Sequence, residues 1–214
     1  MTMISGVDEA GRGPMFGPLV VGAVFCEDDQ VLRDIGVKDS KMLTPAVRDR
    51  MFDEISDAVK WCTVPISAED IDAKMKTQSL NMIELELFVE AVSSNPSDVV
   101  YADCPDVDTD RFGRIMSVKL DGKKVVAAHK ADALYPVVSA ASIMAKVTRD
   151  RMLDDLRKEF DCDIGSGYPS DQVTVDFIEK WIKDNGCPPP HTRRSWKPVK
   201  QMLSARFTTK ISDW

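Results

Sequence analysis

The sequence has few of the features that would place it outside a cell or in a membrane. No apolar run approaches the length of a bilayer span. The start, Met1-Thr2-Met3-Ile4-Ser5-Gly6, lacks the basic lead and long apolar stretch of a secretory signal. Cysteine is scarce and scattered: Cys26, Cys62, Cys104, Cys162 and Cys187 are odd in number and none forms a C-x-x-C pair. That speaks against a disulfide framework and a structural zinc site. Internal repeats and low-complexity tracts are absent. The expectation is a cytoplasmic protein without a membrane partner. At 214 residues and 43% hydrophobic composition it can bury a real core.

Positive charge is also in short supply. The formal net charge is −7, which argues against a protein that coats nucleic acid nonspecifically. The deficit is uneven. From His191 to the end, Arg193, Arg194, Lys197, Lys200, Arg206 and Lys210 face a single acid, Asp213, so this tail carries +5 and the rest of the chain −12. A basic tail suits contact with a polyanion, or a solvated helix. Cys187-Pro-Pro-Pro190 divides the chain into a body, residues 1–186, and a basic C-terminal extension, 187–214.

The stretch with most chemical content is Asp8-Glu9-Ala10-Gly11-Arg12-Gly13-Pro14. A short strand, Ile4 to Asp8, leads into it and a second, Leu19 to Cys26, follows. The intervening glycines and prolines predict an antiparallel pair around an irregular turn. Thr44-Pro45 predicts a helix start, and Ser67-Ala-Glu-Asp70 has the spacing of a capping box. Trp61 to Pro65, Asp98 to Asp103 and Lys123 to His129 read as strands. Leu80 to Val92, Asp108 to Met116, Val137 to Phe160, Asp171 to Asp184 and Lys197 to Arg206 read as helices. Alternating elements of this kind predict an α/β sandwich around a mixed sheet.

Asp8, Asp103 and Asp132 share one position type: the carboxyl end of a predicted strand. Ligands of open α/β sheets gather beyond that edge. If these strands are neighbours, the three acids converge with Glu9 and repel one another unless a cation sits among them. Mg²⁺ suits such a site, since it takes few protein ligands and shares its shell with phosphates. Two ions roughly 3.5–4 Å apart can support in-line displacement at phosphorus. Each aspartate alone is equally a turn former or helix cap. A dinucleotide-binding loop at Gly11-x-Gly13 is disfavoured, because a strand rather than a helix follows it.

Asp8-Glu-Ala-Gly-Arg-Gly-Pro14, Asp39-Ser-Lys41, Ala102-Asp103, His129-Lys-Ala-Asp132, Ala140-Ala-Ser-Ile143 with Ala145-Lys-Val147, and Gly165-Ser-Gly-Tyr168 stand in the order found in type 2 ribonucleases H. The sequence resembles ribonuclease HII, its archaeal branch in particular, from Gly6 to about Trp196. The resemblance implies a ribonuclease H-like fold, a five-stranded mixed sheet flanked by helices with a helical C-terminal extension. It implies a monomeric endonuclease that cleaves the RNA strand of RNA–DNA hybrids. It further implies incision 5′ of ribonucleotides embedded in duplex DNA, leaving 3′-hydroxyl and 5′-phosphate ends. The family's metal-binding catalytic acids fall on Asp8, Glu9, Asp103 and Asp132, with Mg²⁺ or Mn²⁺ as cofactor. Its 2′-hydroxyl reader falls on Gly11, Arg12 and Gly13, and its sugar-stacking tyrosine on Tyr168. Lys41, Lys146 and Arg149 are candidates for phosphate contact; Lys146 and Arg149 equally suit the solvated face of a long helix. Ser139 and Ser142 suit close helix approach. His129 suits a structural role at the end of its strand, with a metal-neighbour role as the functional alternative, and His191, in the basic tail with Arg193 and Arg194, is a candidate for assisting product release. Gln201 to Phe207 offers a glutamine and a later aromatic toward a sliding-clamp motif, but not the adjacent aromatic pair. A noncatalytic hybrid binder or a hydrolase of small nucleotides would leave Tyr168 and the Gly-Arg-Gly turn without a purpose.

Overall fold

The computed structural model describes residues 2–37 and 44–209. In chain order the elements are β1 (Ile4–Ala10), β2 (Leu19–Cys26), α1 (Gln30–Ile35), α2 (Pro45–Ala58), β3 (Lys60–Ile66), α3 (Ala68–Lys74), α4 (Leu80–Ser93), β4 (Val99–Asp103), α5 (Thr109–Lys119), β5 (Lys124–Ala128), α6 (Ala131–Leu134), α7 (Pro136–Phe160), α8 (Gln172–Asn185) and α9 (Lys197–Thr209). Among the described residues no helix is long and apolar enough to cross a membrane.

The five strands form one mixed sheet in the order β3-β2-β1-β4-β5. β1 is antiparallel to β2 and parallel to β4, and β4 is parallel to β5. β1 runs two residues past the expected end, because Glu9 and Ala10 still pair with Val21 and Val20. Two short helices, α1 and α6, were not expected from the sequence. At six and four residues they are too short to show a helical period.

The chain forms two compact units. The first comprises Met1–Ala10, Val20–Pro65 and Ser79–Arg149. Here the alternation of strand side chains sorts the sheet into two faces. On one face lies the first part of α7, brought down by two glycines. A Cβ on Gly6 would stand 2.3 Å from the Val137 carbonyl, and one on Gly22 2.4 Å from that of Ala141. No other residue permits so close an approach. Val138, Ile143 and Met144 of α7 pack there with Phe52, Ile55 and Leu32. On the other face α5 lies on β5, with Gly113 facing Ala127, and Phe112 meets Phe88 of α4 edge to face at 6.0 Å.

The second unit comprises Gly11–Leu19, Ile66–Gln78 and Asp150–Trp214. Its core joins Met15 and Phe16 to Leu153, Leu156, Ile178 and Val199. Phe16 meets the rings of Phe160 and Phe177 edge to face at 5.9 and 5.4 Å. The helix starts read from the sequence have their caps. Ser67 accepts from the Asp70 amide at 3.0 Å and Asp171 from the Val173 amide at 3.0 Å. All five cysteines are free.

Candidate active site

In the first unit, register brings the acids together. Asp8 stands opposite Gly22, on the face that α7 covers. Val7 pairs with Ala102 in the parallel β1–β4 ladder, so Asp8 and Asp103 are the next residues along the two strands. Carboxylate oxygens of Asp8, Glu9 and Asp103 lie within 4.8 Å of one another. Asp132 is not one of these three. It is buried in the first turn of α6, directly after β5. Lys130 makes the sharp turn between them with a left-handed φ of 55°. Asp103 is tied to that turn, accepting from the Ala131 amide at 2.6 Å. His129 Nδ1 lies 3.3 Å from the Cys104 carbonyl, which links the ends of β5 and β4 and fits the structural reading of that histidine.

Burial makes this cluster electrostatically uncomfortable. Asp8 is 4% exposed. Loss of water, and then the neighbouring charge of Asp103, push its carboxyl up from 3.8 to about 6. The Ser142 hydroxyl, the Lys146 charge and the Glu9 amide oppose that rise. The Glu9 amide donates to Asp8 at 2.8 Å, and Lys146 Nζ donates to Ser142 Oγ at 2.7 Å. Lys146, Ser142 and Asp8 therefore form a relay from helix to strand. This part of Ser142 and Lys146 was missed in the sequence. Their spacing of four residues, which puts both on one helix face, is the signal that carried it. Arg149 is 5% exposed, so the solvated-face alternative does not describe it. Lys41, with the Asp39-Ser40 motif before it, lies outside the described residues.

A divalent cation fits the residues present. The donors are hard oxygens, and a cation would relieve the repulsion that raises the Asp8 carboxyl.

In the second unit, the Gly11–Leu19 turn and the Tyr168 loop are bound together. The amides of Met15 and Phe16 donate to the Gly167 carbonyl at 2.8 and 3.3 Å. A Cβ on Gly13 would stand 3.4 Å from the Tyr168 ring, which is 40% exposed. The loop that carries the ring is fixed by two polar side chains, Thr174 and Asp171. Thr174 Oγ1 donates to the Ile164 carbonyl at 2.8 Å and accepts from the Gly167 amide at 2.9 Å. Asp171 accepts from the Ser166 amide and hydroxyl, which hold its carboxyl below the ordinary value.

The tail residues 191–196 also belong to this unit, and Arg193, read from the sequence only as part of the basic tail, has a definite place in it. Its side chain is fully buried and donates to the carbonyls of Gly11, Arg12 and Gly17. Its guanidinium lies 5.0 Å from the Trp196 ring, whose Nε1 donates to the Gly13 carbonyl at 3.2 Å. The His191 ring packs edge to face on Phe16 and Phe160, with Nε2 3.4 Å from Glu159. Those neighbours fit a structural histidine.

An acidic cluster that could hold a metal, where two central parallel strands end on a five-stranded sheet of order β3-β2-β1-β4-β5, is the arrangement of a ribonuclease H-like fold. The model of the family Ribonuclease HII matches residues 5–199. Ribonuclease HII of Pyrococcus abyssi is 46% identical over 205 residues, covering 93% of this chain and 90% of the relative. The crystal structure of the ribonuclease H2 from Pyrococcus horikoshii superposes with a TM-score of 0.90 at 41% identity, covering 97% of this chain and 99% of that one. The Archaeoglobus fulgidus protein in a PCNA:RNase HII complex gives 0.87 at 40% identity, covering 91% and 95%. The chain belongs to the ribonuclease HII family, with archaeal relatives. It is an enzyme, a nuclease-type hydrolase, and the family is one of endoribonucleases acting on RNA–DNA hybrids.

Proposed function

We propose that the protein cleaves the RNA strand of RNA–DNA hybrids and incises duplex DNA on the 5′ side of embedded ribonucleotides, leaving 3′-hydroxyl and 5′-phosphate ends. The observation that carries this reading is the convergence of Asp8, Glu9 and Asp103 at the sheet edge, with Asp8 buried against its neighbour. These three, with Asp132 from the start of α6, would hold Mg²⁺ or Mn²⁺. Two such ions would supply a water that is nucleophilic at neutral pH and charge compensation for the departing oxygen. No side chain acts as nucleophile. Ser142 and Lys146 keep Asp8 ionised, and Glu9 supports it through its amide.

Specificity rests on the turn. Backbone amides of Gly11-Arg12-Gly13 meet the 2′-hydroxyl, the group that separates RNA from DNA at one nucleotide. The exposed Tyr168 ring stacks on the next sugar, and Lys41, Lys146 and Arg149 are the candidate phosphate contacts. Residues 1–186 carry the chemistry, and the basic extension 187–214 adds attraction for the duplex. The protein works as a cytoplasmic monomer. The PCNA complex of the Archaeoglobus fulgidus relative supports a sliding clamp as a partner, and Gln201 to Phe207 is the candidate segment for it.

A labelled DNA duplex with one ribonucleotide, incubated with Mg²⁺, Mn²⁺ or chelator, tests the reading. One cut 5′ of the ribonucleotide, lost in chelator, is expected. Turnover of free nucleotides alongside an intact duplex would overturn it, as would binding without cleavage in either metal.

A further inference from the structure

The turn that follows the acids is short, rich in glycine and open to many backbone shapes. Its observed shape has an identifiable cause. The Arg193 guanidinium, fully buried, donates from Nη2 to the Gly11 carbonyl at 2.6 Å and from Nη1 to the Arg12 carbonyl at 3.0 Å. Nε and Nη2 both reach the Gly17 carbonyl, at 3.2 and 3.1 Å. Trp196, stacked on the guanidinium, takes the Gly13 carbonyl through Nε1 at 3.2 Å. The backbone completes the grip. The Arg193 amide donates to the Met15 carbonyl at 2.8 Å, and the Gly17 amide to the His191 carbonyl at 2.9 Å.

Burying a guanidinium is costly unless its N–H groups find acceptors, and here backbone carbonyls of the turn serve. Peptide geometry converts that into direction. Among the described residues there is no cis peptide bond. In a trans peptide the carbonyl of one residue and the amide of the next point opposite ways. With the Gly11 and Arg12 carbonyls drawn toward Arg193, the Arg12 and Gly13 amides are aimed away from it. The third carbonyl, of Gly13, precedes Pro14, which has no amide hydrogen. The tail thus selects which donors the turn displays and on which side.

The tail is itself braced by α3. Glu69 accepts from the His191 amide at 2.7 Å, and Asp72 from the amides of Arg194 and Ser195 at 2.6 and 3.1 Å. The carboxylates of one helix hold the main chain on either side of Arg193, so the guanidinium enters the turn from a fixed base.

We infer that Arg193 is a positioning residue for ribose recognition: by holding the Gly11, Arg12 and Gly17 carbonyls it orients the Arg12 and Gly13 amides as donors to the 2′-oxygen. This rests on the reading of the turn as the 2′-hydroxyl reader. Lysine cannot replace it. A single ammonium keeps the charge but lacks the planar fork that reaches separated carbonyls.

The test compares wild type, Arg193→Lys and Trp196→Phe on duplexes carrying one ribose or one 2′-fluoro sugar at the same position, with Mn²⁺ affinity and Tm measured alongside. Arg193→Lys should keep its Mn²⁺ affinity and lose about 100-fold in kcat/KM on the ribose substrate, as expected for a displaced recognition element. Its preference for ribose over 2′-fluoro should collapse. Trp196→Phe removes one hydrogen bond and keeps the ring, so its preference should fall about fivefold. A lowered Tm with wild-type preference in Arg193→Lys would reduce the residue to a structural tie and overturn the inference. If Arg193→Lys does not fold, an undiminished preference in Trp196→Phe overturns it. A wild type that cuts the ribose duplex no faster than an all-DNA duplex defeats the underlying reading instead, and the inference falls with it.

Discussion

The two carboxylates and the glycine turn are adjacent in sequence, yet they are held in place by opposite means. Asp8 and Glu9 sit on a strand whose position is dictated by ladders on both sides, and Asp103 by the parallel partner. Gly11 to Gly13 have no such ladder. Their carbonyls are held by side chains about 180 residues further along, at Arg193 and Trp196. The first region places charge, and a sheet does that with repeated backbone bonds that side chains cannot easily disturb. The second region presents backbone amides, and their direction needs a separate device. Substitutions in the first region should therefore alter the chemistry and leave the frame, whereas those in the second should alter the frame and leave the chemistry.

The largest effect tests the first half of that contrast. Asp8→Asn should lower cleavage by a factor on the order of 10³ or more, because a ligand charge is lost at the reacting centre. The same change should stabilise the metal-free fold. The native Asp8 carboxyl binds its proton more tightly than in the unfolded chain, with a value of about 6 against 3.8. Stability of the metal-free protein therefore falls as pH rises through that window, and the loss is complete above it. In chelator at pH 7, Asp8→Asn should be more stable than wild type by on the order of 2 kcal/mol. At pH 4 the two should melt together. Equal Tm values at both pH values would show that burial and Asp103 impose no strain.

The second region should respond in stability and binding. Thr174 is fully buried and serves the Ile164 carbonyl and the Gly167 amide at once. Thr174→Val keeps the shape and leaves both backbone groups without that partner, at about 2 kcal/mol. Gly167 also receives Met15 and Phe16, so the Tyr168 loop and the turn should loosen together. KM for a ribonucleotide duplex should rise with kcat little changed. A fall in kcat at constant KM would contradict the division drawn between the regions.

How far each region could be read from the sequence follows the same division. The acids were legible because strands announce themselves by branched apolar runs and because Asp8, Asp103 and Asp132 recur at one kind of place. The five-stranded mixed sheet and the caps at Thr44 and Ser67 were legible for similar local reasons. The length of β1 was not, since pairing with Val20 and Val21 carries it through Glu9 and Ala10. The hold of Arg193 on Gly11 left no local trace. Its residue type is common in a basic tail, and its partners are backbone carbonyls, which every sequence supplies. The glycines at 6 and 22 likewise gave no sign that α7 would lie against them.

The smallest effect concerns the link between α7 and β1, and it sharpens what the sheet alone accomplishes. Register brings Asp8 beside Asp103, but register also raises its carboxyl. The Ser142 hydroxyl works against that rise, and so does Lys146, through its charge and by donating to Ser142 at 2.7 Å. Ser142→Ala should leave the fold intact, since alanine fits wherever a buried serine does. It should raise the Asp8 carboxyl further, because the charged form loses a hydrogen bond. Protons and cations compete for the same oxygens, so Mn²⁺ affinity declines as pH falls through the carboxyl's own value. In Ser142→Ala the decline should begin at higher pH than in wild type, with affinities converging at pH 8. Calorimetric titration with Mn²⁺ at several pH values reads this directly. Coincident curves would mean that the strand ladder alone sets the charge of Asp8, and that the helix contributes packing and nothing to the chemistry.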